Sequence, residues 1–79
     1  MNKEEIFEII TRHASEVVPS LAGHQFRSDD SLKDLGANSV DRSEIIMMTM
    51  ESLSLRVSMI EFARAENISE LASIFHERL

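Results

Sequence analysis

Five times in 79 residues an asparagine or serine stands three positions ahead of an acid: Asn2 before Glu5, Ser31 before Asp34, Asn38 before Asp41, Ser58 before Glu61 and Asn67 before Glu70. That spacing suits a helix start. The first side chain accepts an orphan first-turn amide, and the acid sits against the positive end of the helix dipole. Turn punctuation is thin by contrast, with two glycines and one proline. An all-β chain needs a turn every few residues. The pattern therefore predicts an all-α fold.

Apolar periodicity places the helices. Ile6, Ile9, Ile10, His13, Ala14 and Val17 recur on one face, which predicts a helix from about Lys3 to Val18 that stops at Pro19. A long irregular connection follows, with Leu21 and Phe26 expected to pin it to the core. The run Ser31–Gly36 reads as one capped turn. A second helix is expected from about Ser39 to Ser52, and a short third from about Met59 to Ala65 after Ser58. The fourth, about Ile68 to Glu77, is expected to bury Ile68, Leu71, Ala72, Phe75 and Leu79. The architecture is a small four-helix bundle with a long loop between helices 1 and 2 and a short helix 3, forming one domain over residues 1–79.

Composition narrows the function classes. Fourteen acidic against eight basic residues give a net charge of −6, which would repel nucleic-acid phosphates and favours basic protein surfaces as partners. This also argues against a small DNA-binding helix-turn-helix domain. No apolar run approaches a membrane span and no leading segment resembles a signal peptide, so a cytoplasmic monomer is expected. There is no cysteine, hence no disulfide and no thiolate chemistry from the chain itself.

The second helix carries two apolar faces. Ile45, Ile46, Thr49, Met50 and Leu53 form the core stripe. Val40 and Met47, with Met48 beside them, stand among Glu44 and Glu51 on the opposite side. Isolated exposed hydrophobes are common. Methionines among acids just below a helix start also suit a docking stripe for a basic partner.

Candidate chemistry centres on Ser39. The local pattern Gly-Ala-Asn-Ser-Val-Asp is not a nucleophile elbow, and the histidines, His13, His24 and His76, show no triad or metal-ligand spacing. Catalysis and a metal site are not expected. His13 is placed at the core edge, His24 in the loop and His76 on the surface. Asp29-Asp30 lacks the remaining ligands of a calcium loop and reads as a solvated turn. Two readings of Ser39 stay open: a cap shared with Asn38, or a hydroxyl presented at an anion-favouring helix start for modification. Arg42 is expected to snorkel at the bundle's rim near Ser39. There it either meets a phosphate or acyl carbonyl, or pairs with Asp34, Asp41 or another acid.

The stretch SLKDLGANSVDRSEIIMMTME resembles the modification-site region of acyl carrier proteins, and the resemblance covers the whole chain. It implies that a phosphopantetheinyl transferase attaches 4′-phosphopantetheine to Ser39 and that acyl groups ride on that arm as thioesters. The protein is then a carrier and not an enzyme. Gly36, Asn38 and Val40 would frame the site. Partner recognition would fall on Asn38, Val40, Asp41, Arg42, Ser43, Glu44, Met47, Met48 and Glu51. One position departs from the family: Asn38 stands where most carriers have aspartate, which keeps the capping acceptor and removes a charge. GANSVDRSEIIMMTME together with EFARAENISELA is similar to the free-standing donor carriers of polyketide β-branching cassettes. That likeness implies an acyltransferase and a decarboxylating ketosynthase-like enzyme that together charge the arm with acetyl, and a hydroxymethylglutaryl (HMG)-synthase-like acceptor. A generic fatty-acid or polyketide extension carrier, a peptidyl carrier and a non-carrier helical interaction module are the alternatives.

Overall fold

The computed structural model describes all residues, Met1–Leu79. Three α-helices form it: α1 (Lys3–Val17), α2 (Ser39–Ser52) and α3 (Ile68–Glu77), with short 3₁₀ turns at Pro19–Leu21 and Met59–Phe62. It contains no strand, so the expected all-α bundle is what forms. α1 packs against both α2 and α3. Between them lies a continuous core that includes Ile6, Ile10, Ile45, Ile68 and Phe75, with Phe62 tilted against Phe75 at 4.7 Å between ring centroids. No helix is long and apolar enough to cross a membrane.

The helix starts follow the cap pairs. Asn2 with Glu5 and Asn38 with Asp41 each close a full capping box. At Asn67 the side chain accepts the Glu70 amide, but the Glu70 carboxylate turns to the Glu66 amide. The two remaining first-turn amides of α3 are closed by the long loop, because Ile68 and Ser69 donate to the carbonyls of Asp30 and Ser28, both at 2.9 Å. The loop thus caps α3 with its own backbone.

Two expectations need correction here. The segment after Ser58 is a 3₁₀ turn, Met59–Phe62, and not a helix to Ala65. The Ser58 side chain makes no capping bond there. Glu61, Ala63 and Ala65 all donate to carbonyls three residues back. A segment this short nucleates no α-helix unaided; burial of Phe62 and the Arg78–Glu61 ion pair hold it in the tighter form. Leu79 is also not core: it is exposed, and Ile74 is buried in α3 instead.

Every buried side-chain polar atom is hydrogen-bonded. Thr49, fully enclosed in α2, donates to the Ile45 carbonyl at 2.8 Å, the usual solution for a mid-helix threonine. His13, on α1, is buried against the end of α2. Its Nδ1 lies 2.7 Å from Glu16 Oε1 and its Nε2 lies 2.7 Å from Ser52 Oγ. Since a carboxylate only accepts, Nδ1 carries the hydrogen.

Candidate functional site

The turn ahead of α2 determines how Ser39 is presented. The chain from Ser31 makes a single turn, which Gly36 ends at φ +104°. Glycine reaches that left-handed conformation without the Cβ penalty of other residues. Gly36 donates to the Lys33 carbonyl and Ala37 to the Leu32 carbonyl, the paired bonds of a Schellman motif. Its accompanying apolar contact is the buried pair Leu32 and Ala37. The chain then enters α2 through Asn38, whose Oδ1 accepts the Asp41 amide at 2.8 Å while Asp41 Oδ2 accepts the Asn38 amide at 3.1 Å.

Capping therefore belongs to Asn38, and the Ser39 hydroxyl is left exposed at the first helical position. The capping role considered for Ser39 is filled by Asn38. The first-turn amides of Ser39 and Val40 precede the reach of intrahelical bonding, and no loop carbonyl closes them as the loop closes α3. A hydroxyl beside open amides at a positive dipole end suits a phosphodiester.

Arg42 pairs with no acid. Its Nη1 donates to the Ala37 carbonyl at 2.7 Å, so the expected ion pair with Asp34 or Asp41 is replaced by a clamp on the turn just described. The Ala37 carbonyl lies within reach of the first helical turn, and Asp41 is bonded to the Asn38 amide.

A groove of about 580 Å³ opens beside Ser39, between α2, the Met59–Phe62 turn and the start of α3. Buried Leu32, Ile46, Phe62 and Leu71 form its apolar floor, and Lys33, Ser39, Arg42, Ser43, Glu66 and Asn67 bring polar groups to it. Of the residues singled out in sequence, the groove gathers Ser39, Arg42 and Ser43. Val40, Glu44, Met47 and Glu51 stand exposed on α2, and Met48 is half-buried. Sequence reading missed Lys33 and Met59 at this groove, and Ile60, the most exposed large apolar residue at 78%. The misassigned third helix hid the last two, and nothing local marks Lys33.

The chain matches, over residues 9–75, the family described as phosphopantetheine attachment site. It is 46% identical to the polyketide biosynthesis acyl-carrier-protein AcpK of Bacillus subtilis (strain 168), over 100% of this chain and 96% of that protein. The chain belongs to the acyl carrier protein family. A solved relative points the same way: a chain in the crystal structure of the curacin biosynthetic pathway HMG synthase in complex with acetyl donor-ACP superposes with a TM-score of 0.90. It is 49% identical, and the alignment covers 95% of this carrier and 96% of that chain. The carrier's prosthetic group is 4′-phosphopantetheine, whose thiol supplies the thioester chemistry that a cysteine-free chain lacks.

Proposed function

We propose that Ser39 bears the arm and that the carrier delivers acetyl to an HMG-synthase-like enzyme in polyketide β-branching. The observation that carries the site is the division of labour at the start of α2. Asn38 caps the helix, so the neighbouring hydroxyl is free for modification. The likeness to the acetyl donor-ACP of the curacin HMG synthase complex supports the donor role, and that to AcpK the polyketide setting.

In attachment, the Ser39 oxygen takes the phosphopantetheinyl group of coenzyme A. A new P–O bond forms, the hydroxyl proton leaves, and adenosine 3′,5′-bisphosphate departs. Asn38 and Asp41 hold the helix start still during that transfer. Afterwards, α2 offers docking partners a mixed face. Val40 and Met47 supply apolar contact, while Glu44 and Glu51 steer basic groups and set on-rate more than affinity. Asn38, Asp41, Arg42, Ser43 and Met48 flank that face. The same surface serves the transferase, the acyltransferase, the decarboxylating ketosynthase-like enzyme and the synthase in turn. The carrier itself performs no catalysis, and a free thiol on the arm suits the reducing cytoplasm.

Incubation with coenzyme A and a broad-specificity phosphopantetheinyl transferase is expected to add one pantetheine group by intact mass, and Ser39→Ala to add none. Equal modification of the alanine variant would move the site elsewhere. Acetyl-loaded carrier is expected to acetylate an HMG-synthase-like partner faster than a fatty-acid carrier does; equal rates would leave a generic carrier.

A further inference from the structure

We infer that Arg42 and Lys33 form a seat for the phosphodiester at the base of the arm, a role that rests on Ser39 as the attachment point. The protein carries a net charge of −6, yet the groove beside Ser39 gathers two cations, Lys33 and Arg42, and a single acid, Glu66. Neither cation belongs to an ion pair; Arg27, Arg64 and Arg78 are paired with acids, while Lys3, Arg12 and Arg56 are also unpaired but do not line this groove. Arg42 is the only basic residue of α2. It is half-buried, and its one protein partner is a neutral carbonyl. A carbonyl satisfies one N–H but supplies no counter-charge, so the guanidinium keeps both a net charge and unused donors.

The Ala37 bond also fixes where that charge stands. Ala37 is buried and bonded through its amide to Leu32, so the carbonyl that holds Nη1 belongs to a hydrogen-bonded turn. One edge of the guanidinium is used on the turn, which leaves Nε and Nη2 for an anion, and guanidinium geometry suits phosphate oxygens. Lys33 lies on the same turn, three residues before Gly36, and lines the same groove, where its ammonium adds a second point charge. Asp41 makes no ion pair with Arg42; its Oδ2 is bonded to the Asn38 amide. A diester seated between the two cations is held away from Glu44 and Glu51, so the arm leaves Ser39 along the groove while the docking face stays clear.

Phosphorus NMR of the pantetheinylated carrier tests this, with the same protein unfolded in urea as the unrestrained reference. In the native wild type the diester resonance is expected to be displaced and broadened relative to that reference. Arg42→Met is expected to return it towards the reference, Lys33→Met to do so in part, and Arg42→Lys to retain part of the displacement. Raising ionic strength from about 0.05 to about 0.5 M is expected to weaken the displacement in the wild type. A native resonance that matches the reference, or one indifferent to both methionine substitutions in folded proteins, overturns the seat. Lys33 is exposed, so its variant keeps the test valid should Arg42→Met unfold. Failure of the wild type to gain pantetheine at Ser39 would instead overturn the attachment site itself, and intact mass read beforehand separates the two outcomes.

Discussion

Asn38 departs from the family's usual aspartate and still makes both bonds of the capping box, one through its side chain and one through its amide. An amide oxygen accepts a backbone N–H as a carboxylate does, so the helix start keeps its geometry and loses only a charge. Removing the acceptor is a different matter. Asn38→Ala is expected to lower stability by about 1 kcal/mol and, with the cap gone, to slow modification of Ser39. Urea titration and transferase kinetics read the two effects. Asn38→Asp is expected to keep stability unchanged or slightly raised, because a carboxylate there meets the helix dipole. Asn38 and Asp41 were legible in the sequence as a cap pair. The Arg42–Ala37 clamp was not, because a side chain reaching back five residues to a carbonyl leaves no compositional trace.

At the level of elements, α2 ends as instructively as it begins. Ser54 adopts φ +51°, the only non-glycine residue with positive φ. It donates to the Glu51 carbonyl while Leu55 donates to the Met50 carbonyl, which is the Schellman ending that glycine normally serves. Half-buried Met50 and Leu55 supply its apolar contact. Ser54→Gly relieves the left-handed strain and adds some unfolded-state entropy. The net expectation is a gain of roughly 0.5 kcal/mol, or about 2–4 °C in Tm for a domain this small, measurable by thermal denaturation. On the outer face of the same helix, Glu44→Lys and Glu51→Lys are expected to slow acyl transfer with the circular dichroism spectrum unchanged. Transfer that proceeds at the wild-type rate in both would place the docking face elsewhere. The helix's period revealed both faces in advance. The 3₁₀ form of Met59–Phe62 did not show in its sequence, since Phe62 burial and the Glu61–Arg78 pair are contacts with α3.

For the whole molecule, the long loop is a structural part and not a tether. Phe26 packs against the core, His24 meets Phe26 edge-on at 4.8 Å, and the loop's carbonyls close the start of α3. Asp30 organises it. Its carboxylate accepts the Arg27 amide at 2.8 Å and lies 3.2 Å from His24 Nε2. The Arg27 amide is the main reason its pKa sits below the ordinary 3.8, with His24 contributing and partial burial opposing. A depressed folded-state pKa gives stability that is complete above the unfolded value and lost as pH falls through the folded one. Asp30→Asn is therefore expected to flatten the acid limb of the stability–pH curve, while an amide oxygen still accepts the Arg27 N–H. Urea midpoints from neutral pH down to below pH 3.8 check this. The sequence by itself determined the three long helices, their core faces, the caps of α1 and α2 and the position of Ser39, because each depends on side chains within a few residues of one another. Only the tertiary structure decided that the loop caps α3, that Lys33 and Arg42 share a groove with Ser39, and that the third segment winds as a 3₁₀ turn. Those depend on bonds and burial between segments that meet only once the chain has closed around its core.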